Sequence, residues 1–169
     1  MATRELGLAL GPTLRSVAHS PVLRCRETAL QLLAGAGHER PCNVDPLLGG
    51  PGAFVASERL ASESFAALGV VGVMRTLMAG QDVAGFVPAR VGAQTLLAHL
   101  VASLHDAEAG VLVFVTHDTL LAPTLAWLFG PDVALPGYLA GLMVWSDVGG
   151  RIHARGAGHQ RVLDGPMAR

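Results

Sequence analysis

The chain has 169 residues and is 51% hydrophobic and 15% charged, which leaves room for a real core and excludes a disordered or low-complexity protein. With 12 Lys and Arg against 13 Asp and Glu, and a formal net charge of −1, it has no basic surplus for a nucleic-acid backbone or an anionic membrane. No apolar run reaches the roughly 18 residues a membrane span needs, the first residues lack the basic flank and apolar core of a signal peptide, and Cys25 and Cys42 stand in no zinc-type or CxxC spacing, so they are read as reduced thiols of a cytoplasmic protein.

Residues 2–10 read as a helix stopped by the breaker pair Gly11-Pro12. That helix has no cap and no lead-in, so the expectation is that the chain begins inside an element. Ser16-Val17-Ala18-His19 is a short strand. In Ser20-Pro21-Val22-Leu23-Arg24, Ser20 is a good N-cap and Pro21 a good first helical residue, because its missing N–H would have no partner there. Val22, Cys25, Ala29, Leu32 and Leu33 fall on one stripe at helical spacing, and Gly35 is expected to end the helix. Arg24 lies off that stripe in the first turn, at the positive end of the helix dipole, where an arginine calls for an anion from outside.

Residues 42–48 read as another strand, broken by Gly49-Gly50-Pro51-Gly52. Short helical pieces are expected around 58–68 and 70–79, within a segment, 53–87, taken as an insertion. A helix resumes at Pro88 with Ala93, Leu97, Leu100, Val101 and Leu104 as its stripe. Val111-Leu-Val-Phe-Val115 is an unbroken apolar run behind Gly110, which reads as a strand buried on both faces. It stops at Thr116, His117 and Asp118. Pro123 places the start of the next helix near Leu120 or Leu121, and Gly130-Pro131 ends it. Residues 141–146 and 151–154 form a hairpin across Gly149-Gly150.

This order gives an α/β sandwich with a mostly parallel sheet, drawn as one domain over 1–155 with a frayed tail at 156–169. Ligands in such folds sit beyond the carboxyl ends of the strands. His117 and Asp118 are therefore placed where chemistry happens, and the helix bearing Arg24 would begin at the same edge of the sheet.

Several sites are absent from the sequence: a GxxxxGK[ST] phosphate loop, a GxSxG elbow, and HExxH or another close His pair for a metal. The Gly-x-Gly pairs at 35–37 and 156–158 lack the strand-before, helix-after setting of a dinucleotide fingerprint, so no cofactor is expected. Arg24, His117 and Asp118 remain. An arginine fork suits a phosphate bidentately, a histidine can donate to a phosphoryl oxygen, and a carboxylate can protonate a leaving alkoxide and then activate water. Such a set fits phosphoryl transfer and still needs a nucleophile. The bland alternatives are a solvated arginine at 24, a backbone-bonded histidine at 117 and a simple N-cap at 118.

Ser20-Pro-Val-Leu-Arg24-Cys-Arg-Glu-Thr28-Ala29 resembles the Ser-Pro-x-x-Arg-x-x-x-Thr-Ala motif of the histidine phosphatase superfamily, which includes the phosphoglycerate mutases and histidine acid phosphatases. Val115-Thr-His117-Asp118 resembles that family's second motif in its acid-phosphatase form, and residues 136–145 are similar to a late strand entry. The resemblance implies a phosphoglycerate mutase-like three-layer α/β fold and hydrolysis of a small phosphorylated substrate through a phosphohistidine, without metal. Arg24 and His117 would hold the phosphate and Asp118 would be the proton donor. Glu58 and Glu63 are the alternative donors, on the pattern of the mutase branch.

Nothing in the chain matches the family's Arg-His-Gly motif, so its first strand and nucleophile are expected to be missing, through truncation or in a natural pseudophosphatase that binds a phosphorylated ligand or a partner. His19 is the candidate substitute nucleophile. A missing strand would expose a sheet edge, which makes a homo-oligomer an expectation.

Overall fold

The computed structural model describes residues 2–37, 42–105 and 109–163. It is an α/β protein with a parallel sheet flanked by helices, and it divides into two compact units, Met1–Gly52 with Asp106–His117, and Ala53–His105 with Asp118–Arg169.

The first unit contains α1 (Ala2–Leu10), β1 (Leu14–His19), α2 (Leu23–Ala36), β2 (Cys42–Val44) and β3 (Val111–Val115). The strands form a parallel sheet in the order β2-β1-β3, with Val17 opposite both Cys42 and Val113, and His19 opposite both Val44 and Val115. Helix α2 lays Ala29, Leu32 and Leu33 of the predicted stripe on this sheet, joined by Ala36, and they pack with Leu14 and Val17 and with the half-buried Val113 and Val115. The apolar run 111–115 is thus a strand, but it is half-buried along its whole length and not buried on both faces. Among the described residues it is the end strand of its sheet, which leaves one edge outside the ladder.

Two helix boundaries differ from the sequence reading. Ser20 does not cap α2. The helix begins at Leu23 after an extended Val22, because the Ser20 hydroxyl is engaged elsewhere. Its end lies beyond Gly35, at Gly37, which takes the left-handed conformation (φ 71°, ψ 21°) that glycine adopts without steric cost. Gly35 serves closeness instead. A Cβ there would lie 2.1 Å from the Arg4 carbonyl oxygen of α1, and one on Gly7 would lie 2.0 Å from that of Leu32. The two helices touch backbone to backbone.

The second unit contains α3 (Glu58–Met78), α4 (Ala89–His105), α5 (Asp118–Phe129), β4 (Leu142–Ser146), β5 (Ile152–Gly156) and β6 (His159–Leu163). The two helical pieces expected in 53–87 are both present: α3 is two helices run together across Gly69, whose φ of 68° and ψ of 164° are non-helical. By length and composition α3 is long and apolar enough to cross a membrane, and its buried Ala61, Ser64, Val73, Met74 and Leu77 are spaced as a core-facing helix requires. Helix α4 follows prediction, with Ala93, Leu97 and Val101 buried.

Helix α5 starts at Asp118, earlier than Pro123 suggested, so the proline lies inside it. The proline forfeits one backbone hydrogen bond, and burial compensates: every residue from Leu120 to Ala126 is buried, and Thr124 Oγ1 donates to Leu120 O at 2.7 Å. The tail drawn from Gly156 is a strand as far as Leu163, where β6 pairs antiparallel with β5, and Leu163 joins Leu97, Val101, Leu128, Ile152 and Ala154 in a core cluster. Residues 164–169 lie outside the described ones. The hairpin β4–β5 is antiparallel as expected, but it belongs to its own sheet, in the order β4-β5-β6, and not to the parallel one.

Asp147 organises that hairpin. Its carboxylate accepts hydrogen bonds from the Gly149 and Arg151 amides, from Arg151 Nε at 2.8 Å and from His153 Nε2 at 3.0 Å, and the His153 ring stacks on Trp145. The His153 contact first, and then the Arg151 amide, hold the Asp147 carboxyl far below its usual 3.8. A carboxyl depressed in the folded state contributes stability that is complete above its unfolded pKa and is lost only as pH falls through the folded one. In a Trp127→Phe background, Trp145 fluorescence on acid titration should therefore stay native well below pH 4, and Asp147→Asn should remove that acid limb.

Candidate active site

The carboxyl ends of β1 and β3 lie side by side, because His19 pairs with Val115 in a parallel ladder. Helix α2 begins directly beyond β1, so its first turn and the residues after β3 share one rim of the first unit's sheet. On that rim Arg24 Nη2 stands 2.7 Å from His117 Nδ1. The structure thus brings together two of the predicted residues, which are 93 positions apart. Arg24 is exposed, free to turn its fork to a ligand, whereas His117 is only 8% exposed.

The imidazole is enclosed by residues that the sequence reading gave no part in the site. Ser20, fully buried, places Oγ 2.7 Å from His117 Nε2. Cys25 Sγ lies 3.6 Å from Nε2 and 3.8 Å from Nδ1, and its thiol points to Thr116 O at 3.6 Å. Gly49 faces the other side: a Cβ there would lie 2.5 Å from His117 Cδ2 and 2.8 Å from Nε2. The loop carrying Gly49 is tied to the rim by Thr116 Oγ1, which donates to Leu48 O at 2.7 Å, and it is shaped by Asp45, whose carboxylate accepts from Leu47 N. Thr116 thus has a structural part, holding the loop to the strand end.

Burial pushes the Cys25 thiol up, against smaller opposing effects of Arg24 and Ser20, and burial likewise raises Cys42. Both cysteines are free thiols. A thiol kept protonated is a packing group for the ring, not an activated nucleophile.

The remaining predicted residues are placed as follows. His19 is 2% exposed at the end of β1, with Nδ1 2.7 Å from Ser20 O. The carbonyl can only accept, so Nδ1 carries the proton and the lone pair is on Nε2. Asp118 is exposed at the start of α5 in the second unit, where its carboxylate accepts from Thr119 N at 2.9 Å. Asp118 is therefore the first residue of α5 and bonds the amide next to it, which is not the N-cap contact of the bland reading. Glu58 is exposed in the first turn of α3, where the dipole suits an acid, and Glu63 is ion-paired with Arg59 on the same helix. Among the described residues no group of three or more His, Cys, Asp or Glu side chains could hold a metal ion.

Ser20 and His117 at 2.7 Å have the spacing of a serine–histidine dyad, but the far side of the ring argues against one. A catalytic serine needs an acceptor on the histidine's other nitrogen, so that the nitrogen facing the hydroxyl is free to take its proton. Here that other nitrogen faces a guanidinium, which can only donate. The pair is arranged for an anion, not for acyl transfer.

No family model and no curated protein matches the chain. Solved structures do. It superposes on a structure titled mycobacterial hydrolase 1 with a TM-score of 0.58 and 20% identity, over 96% of this chain and 80% of that one. It also superposes on a mycobacterial glucosyl-3-phosphoglycerate phosphatase solved with VO3, with a TM-score of 0.54 and 19% identity, over 95% and 79% of the two chains. The chain therefore has the α/β fold of these two mycobacterial proteins.

Proposed function

We propose that this chain binds the phosphoryl group of a small phosphomonoester between Arg24 and His117, as a phosphatase-like protein. The observation that carries this reading is the 2.7 Å approach of Arg24 Nη2 to His117 Nδ1 at the rim where β1 and β3 end. A guanidinium and an imidazole meet there, and each can donate to an oxyanion. An arriving phosphoryl group would take the guanidinium as a fork and the imidazole as a single donor. The neighbour that was solved with VO3, a trigonal oxyanion, adds support.

Hydrolysis would take its proton from Asp118, the residue after His117 in the chain: the carboxyl protonates the leaving alkoxide and the carboxylate then activates water. A phosphohistidine route also needs a nucleophilic imidazole. Both nitrogens of His117 are engaged, by Arg24 and by Ser20. His19 keeps a lone pair on Nε2 but is almost wholly buried. We therefore read the chain as a phosphate binder with little or no turnover, which favours the pseudophosphatase alternative over an efficient hydrolase.

The test is an aryl-phosphate assay beside vanadate binding, with wild type, His117→Ala and Asp118→Asn. Wild type should bind vanadate and turn over slowly or not at all, and His117→Ala should lose binding. Robust turnover sensitive to both substitutions would overturn the inert reading, and its loss in His19→Ala would then identify the nucleophile. An absence of vanadate binding would overturn the phosphate reading itself.

A further inference from the structure

The structure assigns Ser20 and Gly49 as positioning residues that fix the tautomer and the plane of the His117 ring, so that Nδ1 is its working nitrogen. The Ser20 hydroxyl has one proton and two acceptor sites, and all three are accounted for. Its proton goes to Gly49 O at 3.4 Å, and one acceptor site takes the Val22 amide at 3.3 Å. The other faces His117 Nε2 at 2.7 Å, so Nε2 must be the donor. The opposite nitrogen gives the same answer independently. Arg24 can only donate, so Nδ1 accepts and the proton is again on Nε2. Gly49 then sets the plane of the ring, because a side chain at that position would occupy the space of Cδ2 and Nε2.

The consequence for binding rests on the phosphate reading. When an oxyanion draws Arg24 away, Nε2–H stays on Ser20 and Nδ1 is the nitrogen left facing the ligand. Protonated there, by solvent or by an arriving monoprotonated phosphoryl group, it returns that hydrogen bond to a phosphoryl oxygen. Ser20 is a suitable acceptor in both states and need not rotate between them. Neither Ser20 nor Gly49 touches the ligand.

The test is long-range 1H–15N NMR of the full chain labelled at its 7 histidines, with the His117 signals assigned by their loss in His117→Ala. Wild type without ligand should show the Nε2–H form. Gly49→Ala, which displaces the ring from both partners, and the double variant Ser20→Ala/Arg24→Ala should each replace it by averaged signals while other histidine signals stay in place, whereas Ser20→Ala alone should keep it through Arg24. Arg24→Ala, at an exposed position that does not threaten folding, should keep the Nε2–H form, since Ser20 alone still dictates it. An Nδ1–H form in wild type, or loss of the Nε2–H form in Arg24→Ala, would overturn the assignment, as would an unchanged tautomer in the double variant.

A phosphate titration separates this proposal from the function on which it rests. Ser20→Ala should weaken phosphate by about 10-fold, the scale of losing one hydrogen bond that holds the ring. Failure of wild type to bind phosphate would end the functional reading and leave the tautomer assignment to stand or fall on the ligand-free spectra.

Discussion

Arg24→Ala should weaken vanadate and phosphate binding by about 100-fold or more, as measured by calorimetry at low salt. The guanidinium brings a permanent positive charge to the His117 ring, and each charge-assisted hydrogen bond of a fork contributes about 1.5–3 kcal/mol. Arg24→Lys should recover only part of the loss, because an ammonium is a point charge that cannot match two phosphoryl oxygens at once. Arg24 is exposed and its unliganded contact is a single hydrogen bond to an imidazole, so thermal stability should hardly move. The wild-type affinity should fall with ionic strength, as for any exposed charge. Equal affinity in wild type and Arg24→Ala would remove the arginine from the site.

The parts of this site that were legible in the sequence are the ones with a chemical signature. Arg24 at a helix start and His117 at a strand end carry charge or proton chemistry, and parallel topology puts strand ends and following helix starts on one rim. Gly49 has no such signature: a glycine in a Gly-Gly-Pro-Gly run reads as a turn, and only the imagined Cβ 2.5 Å from the His117 ring shows otherwise. Ser20 misled for a related reason. Ser-Pro before an apolar stripe is a strong capping signal, yet the hydroxyl is spent on Val22 N, Gly49 O and His117 Nε2, and the helix starts three residues later.

The fold shows the same division. Gly37 and Gly35 both sit where a helix should end, and periodicity cannot tell a left-handed cap from a glycine chosen for closeness. The strand β6 follows Ala157-Gly158, and its sequence, His-Gln-Arg-Val-Leu, exposes four of five residues. A strand with so little apolar content forms because β5 offers it a ladder, and tertiary pairing of that kind is invisible to local pattern.

The crossing of α1 and α2 carries the largest stability effect expected of a single methyl group. Ala is the better helix former by about 1 kcal/mol, so Gly35→Ala in an ordinary helix would stabilise. Here the added carbon would lie 2.1 Å from the Arg4 carbonyl oxygen and 2.9 Å from its carbon, both backbone atoms of the other helix. No rotamer can relieve that contact, so α1 must move as a body, and a net loss of about 2–3 kcal/mol is expected from overpacking. For a chain of this size that lowers the melting temperature by roughly 4–12 °C. At 9 residues α1 is shorter than the roughly 12–15 that make an isolated helix even marginal in water, so a displaced α1 should also unwind. Trypsin should then cut after the exposed Arg4 faster in Gly35→Ala than in wild type. Gly7→Ala should have a similar cost, since its Cβ would meet the Leu32 carbonyl oxygen at 2.0 Å. The double variant should lose less than the sum, because either methyl alone already parts the helices. An unchanged or raised melting temperature in Gly35→Ala would mean that the two backbones are not in contact.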